Sequence, residues 1–149
     1  MYKHLLLPTD GSSLAAKGIR EGVRLAKALG ASVTGVYVAP PFVAPIRGEA
    51  TAYYAGPYSR GEYKRLTETI AKKALDTVVR AARAAGVPCR TRLVADPQPW
   101  GGILRAARAW RCDAIVMASH GHGAIGGLIL GSETSRVLAH SKLPVLVVR

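Results

Sequence analysis

The stretch richest in groups able to do chemistry runs Met117-Ala118-Ser119-His120-Gly121-His122-Gly123-Ala124-Ile125-Gly126-Gly127-Leu128-Ile129-Leu130-Gly131-Ser132-Glu133-Thr134. Glycines follow an apolar run, and a Gly-Ser pair opens what reads as a helix. That combination suits an anion. Glycine lets backbone N–H groups come close to a ligand, and the free N–H groups and positive dipole end of a helix starting at Ser132 favour negative charge. The hydroxyls of Ser132 and Thr134 are placed to add hydrogen bonds, or to help hold a phosphate-bound metal. The segment is suited to cradling phosphates.

Generic motifs do not account for it. Gly121-x-Gly123-x-x-Gly126 matches a dinucleotide fingerprint, but it opens no helix and has no acidic residue about twenty positions on. Gly126 to Gly131 has the spacing of a phosphate loop before Ser132 but lacks the lysine such a loop needs. Met117 and Ala118 precede Ser119 where a nucleophile elbow requires glycine. His120 and His122 have no third ligand or carboxylate nearby and read as loop histidines. Cys89 and Cys112 are isolated, which disfavours a zinc site and fits a reducing cytoplasm.

The elements that must position this loop alternate along the chain. Lys3 to Thr9 is a short apolar run ending in the turn Asp10-Gly11-Ser12-Ser13, a buried strand and a helix start. A helix is expected over 14–29, where Ala15, Ile19, Val23 and Ala26 recur at helical spacing before Gly30. Ser32 to Ala39 is a β-branched strand stopped by Pro40-Pro41. Residues 40–60, with their prolines and Tyr53-Tyr54, carry no sustained period and read as a long loop. Leu66, Ile70, Ala74, Val78, Ala81 and Ala85 set the core face of a second helix ending at Gly86. A third strand is expected over 88–94, with Asp96-Pro97 capping a third helix that carries Ile103, Leu104, Ala107 and Trp110. Residues 113–118 and 144–148 give two more strands, separated by the Gly-rich loop and a helix from Ser132. Strands this apolar, alternating with helices, predict an α/β fold: a parallel sheet covered on both faces, with its ligand site at the strands' carboxyl ends. Attention falls on 8–13, 38–41 and 117 onward.

With 149 residues and 49% hydrophobic content, one domain over 1–149 is expected. The apolar run Leu5 to Leu7 is broken at once by Pro8, too short for a signal core or a membrane span, so the expected location is cytoplasmic. The net charge of +12 favours anions in general, but the 21 Lys and Arg residues are spread along the helical stretches. No recognition helix or aromatic-interleaved basic strand is evident, so sequence-specific nucleic-acid binding is not expected.

The spacing Gly-x-x-Gly, nine residues, Gly-Ser is met here as Ala118-x-x-Gly121, residues 122–130, Gly131-Ser132. With the opening Lys3-His4-Leu5-Leu6-Leu7-Pro8-Thr9-Asp10-Gly11-Ser12, the strand end Val36-Tyr37-Val38 and the close Ser141-Lys142-Leu143-Pro144-Val145-Leu146-Val147-Val148, it resembles the universal stress protein family over essentially the whole chain. The resemblance implies an open five-stranded parallel sheet in order 3-2-1-4-5, of the adenine nucleotide alpha hydrolase-like type. It further implies a homodimer, placed here on the C-terminal strand, and bound ATP (or ADP or AMP), with Mg or Mn. Carried over by residue, Asp10 is the acidic group near the phosphates and their metal, and Pro8 and Thr9 shape the pocket. Val38 is the backbone contact to adenine. Met117 and Ala118 line base and ribose, while His120, Gly121 and Gly131 stand beside the nucleotide. Ser132, Glu133, Thr134 and Ser135 meet the phosphates. The chain departs from the pattern in having Ala118 for the first glycine, and in the acidic Glu133 beside the phosphate position. Asp10 read from the residues alone remains open as a turn residue. Regulatory nucleotide binding, slow ATP hydrolysis and an interaction module with an empty pocket are all compatible with these residues.

Overall fold

The run Leu5-Leu6-Leu7 is completely buried on both sides, because the first strand lies in the middle of the sheet. The structure is a computed structural model and describes residues 1–44, 59–119 and 130–149. In chain order its elements are β1 (His4–Pro8), α1 (Ser13–Leu29), β2 (Ser32–Ala39), α2 (Arg60–Ala85), β3 (Cys89–Ala95), α3 (Pro99–Ala109), β4 (Ala114–Ala118), α4 (Ser132–His140) and β5 (Val145–Val148). The strands form one five-stranded sheet in the order β3-β2-β1-β4-β5, all pairings parallel. The expected order 3-2-1-4-5 is therefore the observed one.

Alternation along each strand sorts the core into two layers. Leu5 and Leu7 pack with Val33, Val116, Ile19 and Val78 under α1 and α2. Leu6 joins Val36, Ile115, Met117, Ile103 and Val137 under α3 and α4. Full burial of one such side chain contributes about 1.5–3 kcal/mol, which explains why the central strands are apolar without a break.

Helix ends follow local chemistry. Ser12 caps α1, its Oγ accepting from the Ala15 N–H at 3.0 Å, and the helix stops at Gly30 in the left-handed region, φ 63°. Ser59 and Glu62 form a reciprocal capping box that starts α2 six residues ahead of Leu66. This earlier start changes the expected core face. Leu66 and Ile70 are 42% and 46% exposed, and the buried stripe is Ala71, Ala74, Leu75, Val78 and Ala82. A helix of 26 residues extends about 39 Å, whereas the eight residues of β2 extend about 26 Å, so the first turns of α2 overshoot the sheet.

The start of α3 also differs from expectation. Pro99, not Pro97, takes the first helical position, and Gln98 stands at the cap without a side-chain bond. Asp96 turns inward instead. It is nearly buried, accepts the Gln98 N–H at 2.9 Å and pairs with Arg105 at 2.7 Å. Trp110 lies just past α3, and Arg111 adopts φ 52°, ending the helix without a glycine. No described helix is long and apolar enough to cross a membrane.

At the amino ends of the strands, His4 Nε2 lies 2.7 Å from Thr34 Oγ1 and 3.8 Å from Cys112 Sγ. The Asp113 carboxylate accepts the N–H groups of Lys3 and His4 at 2.7 and 3.2 Å. Burial, reinforced by the Asp113 charge, pushes the Cys112 thiol up to about 12. Burial raises Cys89 as well. Since the thiolate is the reactive form, Cys112 is held almost entirely as the unreactive thiol at pH 8. A thiol-reactive dye at pH 8 should therefore label Cys112 at least a hundredfold more slowly in the native protein than in guanidinium. Equal rates in the two states would contradict this burial.

Candidate functional site

The chain reverses strand order at β1, with β2 on one side and β4 on the other, and the end of β1 is therefore where an open α/β sheet places its ligand crevice. Pairing of β1 with β2 ends at Pro8↔Val36. One further bond follows, from Thr9 N–H to Val36 O at 2.9 Å. Because Ala39 O bonds Asp96 N on β3 while Val36 O bonds Thr9 N, even-numbered residues of β2 turn their backbone groups toward β1. Val38 N–H and C=O thus face the crevice just where β1 has given out. A donor and an acceptor so placed match the hydrogen-bonding edge of a purine base. The Val38 side chain instead packs against α3, where a Cβ on Gly102 would sit 2.5 Å from Val38 Cγ1.

Below the crevice the turn after β1 is built from its own side chains. Thr9 is buried and its Oγ1 accepts the Gly11 N–H at 3.1 Å. Asp10 Oδ1 accepts the Ser12 N–H at 2.9 Å, so Asp10 does hold the turn into α1. It is also half-buried, just beyond the end of β1. Its charge is felt by Tyr37, whose phenol is raised first by burial, then by Asp10 and Tyr63.

On the other side, Met117 and Ala118 are buried at the end of β4. Among the described residues only Arg111 has positive φ outside glycine, so Ala118 keeps ordinary strand backbone. Its methyl alternates with Met117 and falls on the α1 face with Ala114 and Val116. There Gly18 lets α1 close onto the strand: a Cβ at that position would meet Ala118 N at 2.9 Å. The alanine at the first motif position is thereby accommodated away from the crevice.

Ser119 O accepts the Gly131 N–H at 2.8 Å, which ties the end of β4 to the start of α4. Gly131 occupies the cap position of α4 and offers no side-chain bond to the first turn. The N–H groups of Ser132, Glu133 and Thr134 are left without helical partners, a ready anion site. Ser132 and Ser135 are exposed, while Thr134 is buried and its hydroxyl donates to Ala118 O at 3.0 Å. Thr134 therefore contributes its position and backbone, its hydroxyl being committed to β4. Glu133 is directed sideways: its Oε2 accepts the Trp100 N–H at 2.8 Å, and Oε1 lies 3.6 Å from Arg136. Its charge thus serves the start of α3, which lacks a cap of its own. His120 and Gly121 lie outside the described residues, as do His122, Tyr53 and Tyr54.

The structure adds residues that sequence patterning did not single out. Tyr63 OH donates to Pro40 O at 2.6 Å, and its ring lies 5.5 Å from Phe42, which Arg60 covers at 5.1 Å. These contacts pin the chain leaving β2 to the start of α2, on the rim beside Tyr37. Their only sequence signal was the aromatic content itself, and the Tyr53-Tyr54 pair drew it elsewhere. Among the described residues no group of three His, Cys, Asp or Glu could hold a metal by itself.

Replacing Glu133 with alanine should remove the acceptor for Trp100 N–H and destabilise the protein by about 1–2 kcal/mol. Glu133→Gln, which retains an oxygen, should lose less than half of that. The Arg136 pair is exposed and contributes little. Urea unfolding of the two variants measures the difference, and equal losses would assign the effect to charge instead.

The whole chain, residues 1–149, matches the universal stress protein family model. A universal stress protein of Thermus aquaticus, from the region beside a sulfhydrylase gene, is 34% identical over 151 residues, covering all of both chains. The structure of a universal stress protein in complex with cAMP aligns with a TM-score of 0.69 at 21% identity, over 99% of this chain and 97% of that one. The Archaeoglobus fulgidus universal stress protein in complex with dAMP aligns at 0.70 and 18% identity, over 100% and 98%. Sheet order and neighbours agree on an adenine nucleotide alpha hydrolase-like fold. By its sequence over the full length, and by the arrangement of its strands, this chain belongs to the universal stress protein family.

Proposed function

We propose that this protein binds an adenine nucleotide, ATP foremost, and that the bound state sets its conformation or partner choice in a stress response. The observation that carries this reading is the convergence on one crevice of an outward backbone pair at Val38, the Asp10 carboxylate, and the uncapped start of α4 at Ser132. Base, phosphate-bound cation and phosphates each find matching chemistry there. The relatives solved with cAMP and dAMP support the adenine class. Pro8 and Thr9 floor the site, and Met117 and Ala118 wall it. A Mg or Mn ion fits as a companion of the phosphates, because one carboxylate with phosphate oxygens suits a hard cation that no described cluster of side chains could hold.

Mass spectrometry of the protein denatured as purified should release ATP. Release of ADP or AMP alone would indicate turnover, and the absence of nucleotide the empty module. On nucleotide-stripped protein, calorimetry should show Gly131→Val nearly abolishing ATP binding by filling the approach to the α4 N–H groups. Ala118→Gly should change affinity less than tenfold, about 1.4 kcal/mol, since that methyl lies on the α1 side. ATP binding absent from wild type and restored by Ala118→Gly would refute the proposal.

We also propose a homodimer through β5. This strand is at a sheet edge, and Leu146 is 47% exposed upon it. An apolar edge with unpaired backbone groups favours pairing with a second copy. Sedimentation should give a dimer at micromolar concentration and a shift to monomer for Leu146→Lys. A wild-type monomer at that concentration would exclude the interface.

A further inference from the structure

The opposite edge of the sheet is built differently. Pro88 O and Asp96 N bond to β2, so the even-numbered residues of β3 turn their backbone groups inward and Cys89, Thr91, Leu93 and Ala95 turn theirs outward. No described strand pairs with that side. Two of the outward carbonyls are engaged: Thr91 O accepts from Arg92 at 2.9 Å and Ala95 O from Arg105 at 2.8 Å. Neither takes an outward N–H.

Each face beside this edge has its own chemistry. On the α2 side a groove of about 480 Å³ runs between helix and strand, with Ala71, Leu75, Val79 and Leu93 supplying apolar surface. Val79 and Leu93 are 41% and 39% exposed. Of the charged groups there, Asp76 is paired with Arg80 at 3.0 Å and Glu68 with Lys64 at 3.9 Å, while the exposed Lys72 adds one positive charge to the groove's lining. On the α3 side stand Arg90 and Arg92, both exposed, with Arg92 resting over the Trp110 ring at 5.8 Å. Among the described residues neither arginine has a carboxylate within 4.0 Å.

We infer that β3 is a docking edge for an extended acidic peptide segment of a partner protein, added to the sheet as a sixth strand. A strand laid on this edge turns alternate side chains to opposite faces. One set enters the α2 groove and must be apolar; the other meets Arg90 and Arg92 and must be acidic. The recognised sequence is therefore one of alternating aspartate or glutamate with valine, isoleucine or leucine. A second copy of this chain is disfavoured, because antiparallel pairing of β3 with itself sets arginine against arginine. Edge charges of this kind guard against self-association while admitting a partner of opposite sign.

The test uses the full chain and a nine-residue peptide alternating Asp or Glu with Val, followed by fluorescence anisotropy. The peptide should bind in the micromolar range, and more weakly as salt is raised. Arg90→Glu with Arg92→Glu should weaken it at least tenfold. Thr91→Pro should do the same while leaving the melting temperature of the free protein nearly unchanged, because that N–H faces outward and serves no ladder bond. If Thr91→Pro compromises folding, methylating the peptide on alternate backbone nitrogens provides the same test on wild-type protein. Three outcomes overturn the inference: no binding at millimolar peptide, equal binding of a shuffled peptide of the same composition, or arginine-dependent binding indifferent to both backbone blocks. A single-stranded oligonucleotide that binds more tightly than the peptide, with the same arginine dependence, would make this edge a polyanion surface and overturn it too.

Discussion

The site depends on a shortfall of pairing at the centre of the sheet. β1 stops at Pro8 while β2 runs on through Ala39, so Val38 is left facing a gap instead of a strand. Burying an unpaired amide and carbonyl is costly, and a gap of this kind is tolerated where water or a ligand completes the bonds. The reversal of strand order at β1 creates that gap, because among the described residues no helix crosses above it from β2 to β4. The Gly11 turn, the Ser119–Gly131 tie and the Tyr63–Pro40 bond then fix its three rims.

Packing behind the rims is coupled to them. α4 can present its first turn to the crevice only while α3 stays in register beneath it, and Glu133 links the two through Trp100 N–H. His140, at the far end of α4, stacks on the Trp100 ring at 4.6 Å, so both ends of the short helix hold on to one residue. Thr134 completes the fastening by spending its hydroxyl on Ala118 O, nine-tenths out of reach of solvent. Residues at the start of α4 thus divide by depth: the first backbone N–H groups are left without helical partners, while the Glu133 and Thr134 side chains are committed to holding the helix in place. Preorganisation of this sort lowers the ordering cost of binding.

The fold was legible because its signals were redundant. Leu5 to Leu7, Ala114 to Ala118 and Val145 to Val148 are apolar on both faces, which only a helix-covered parallel sheet explains, and Gly30 and Gly86 marked helix ends plainly. Legibility failed where a residue had two plausible local partners. Asp96 before Pro97 has the form of a helix cap, yet Arg105 one helix turn and more away takes it, and Pro99 serves the helix instead. Leu66 and Ile70 keep the helical period but lie where α2 has run past the sheet, a length mismatch that periodicity cannot report. For the candidate site, the turn at Asp10 and the helix start at Ser132 were marked by residue type, and both stand at the ends of elements in the fold. The roles of Glu133 and Tyr63 did not, since their partners lie 33 and 23 residues away.

Charge joins the local site to the whole molecule. A chain of net charge +12 attracts polyanions in general and raises their association rate. An acidic side chain at an uncapped helix start would oppose an incoming anion, were it not already bonded to the Trp100 N–H and flanked by Arg136. Asp10 is the contrasting case: the Tyr37 phenol, raised first by burial, is raised further by its charge. A carboxylate at that turn repels a bare phosphate chain, so the proposed nucleotide would be favoured there in its cation-bound form. The two acids therefore stand differently: Glu133 is bonded sideways to the Trp100 N–H and flanked by Arg136, which leaves the dipole of the α4 start unopposed, while Asp10 stays half-buried at the turn after β1, where the proposed nucleotide would be favoured with a divalent cation.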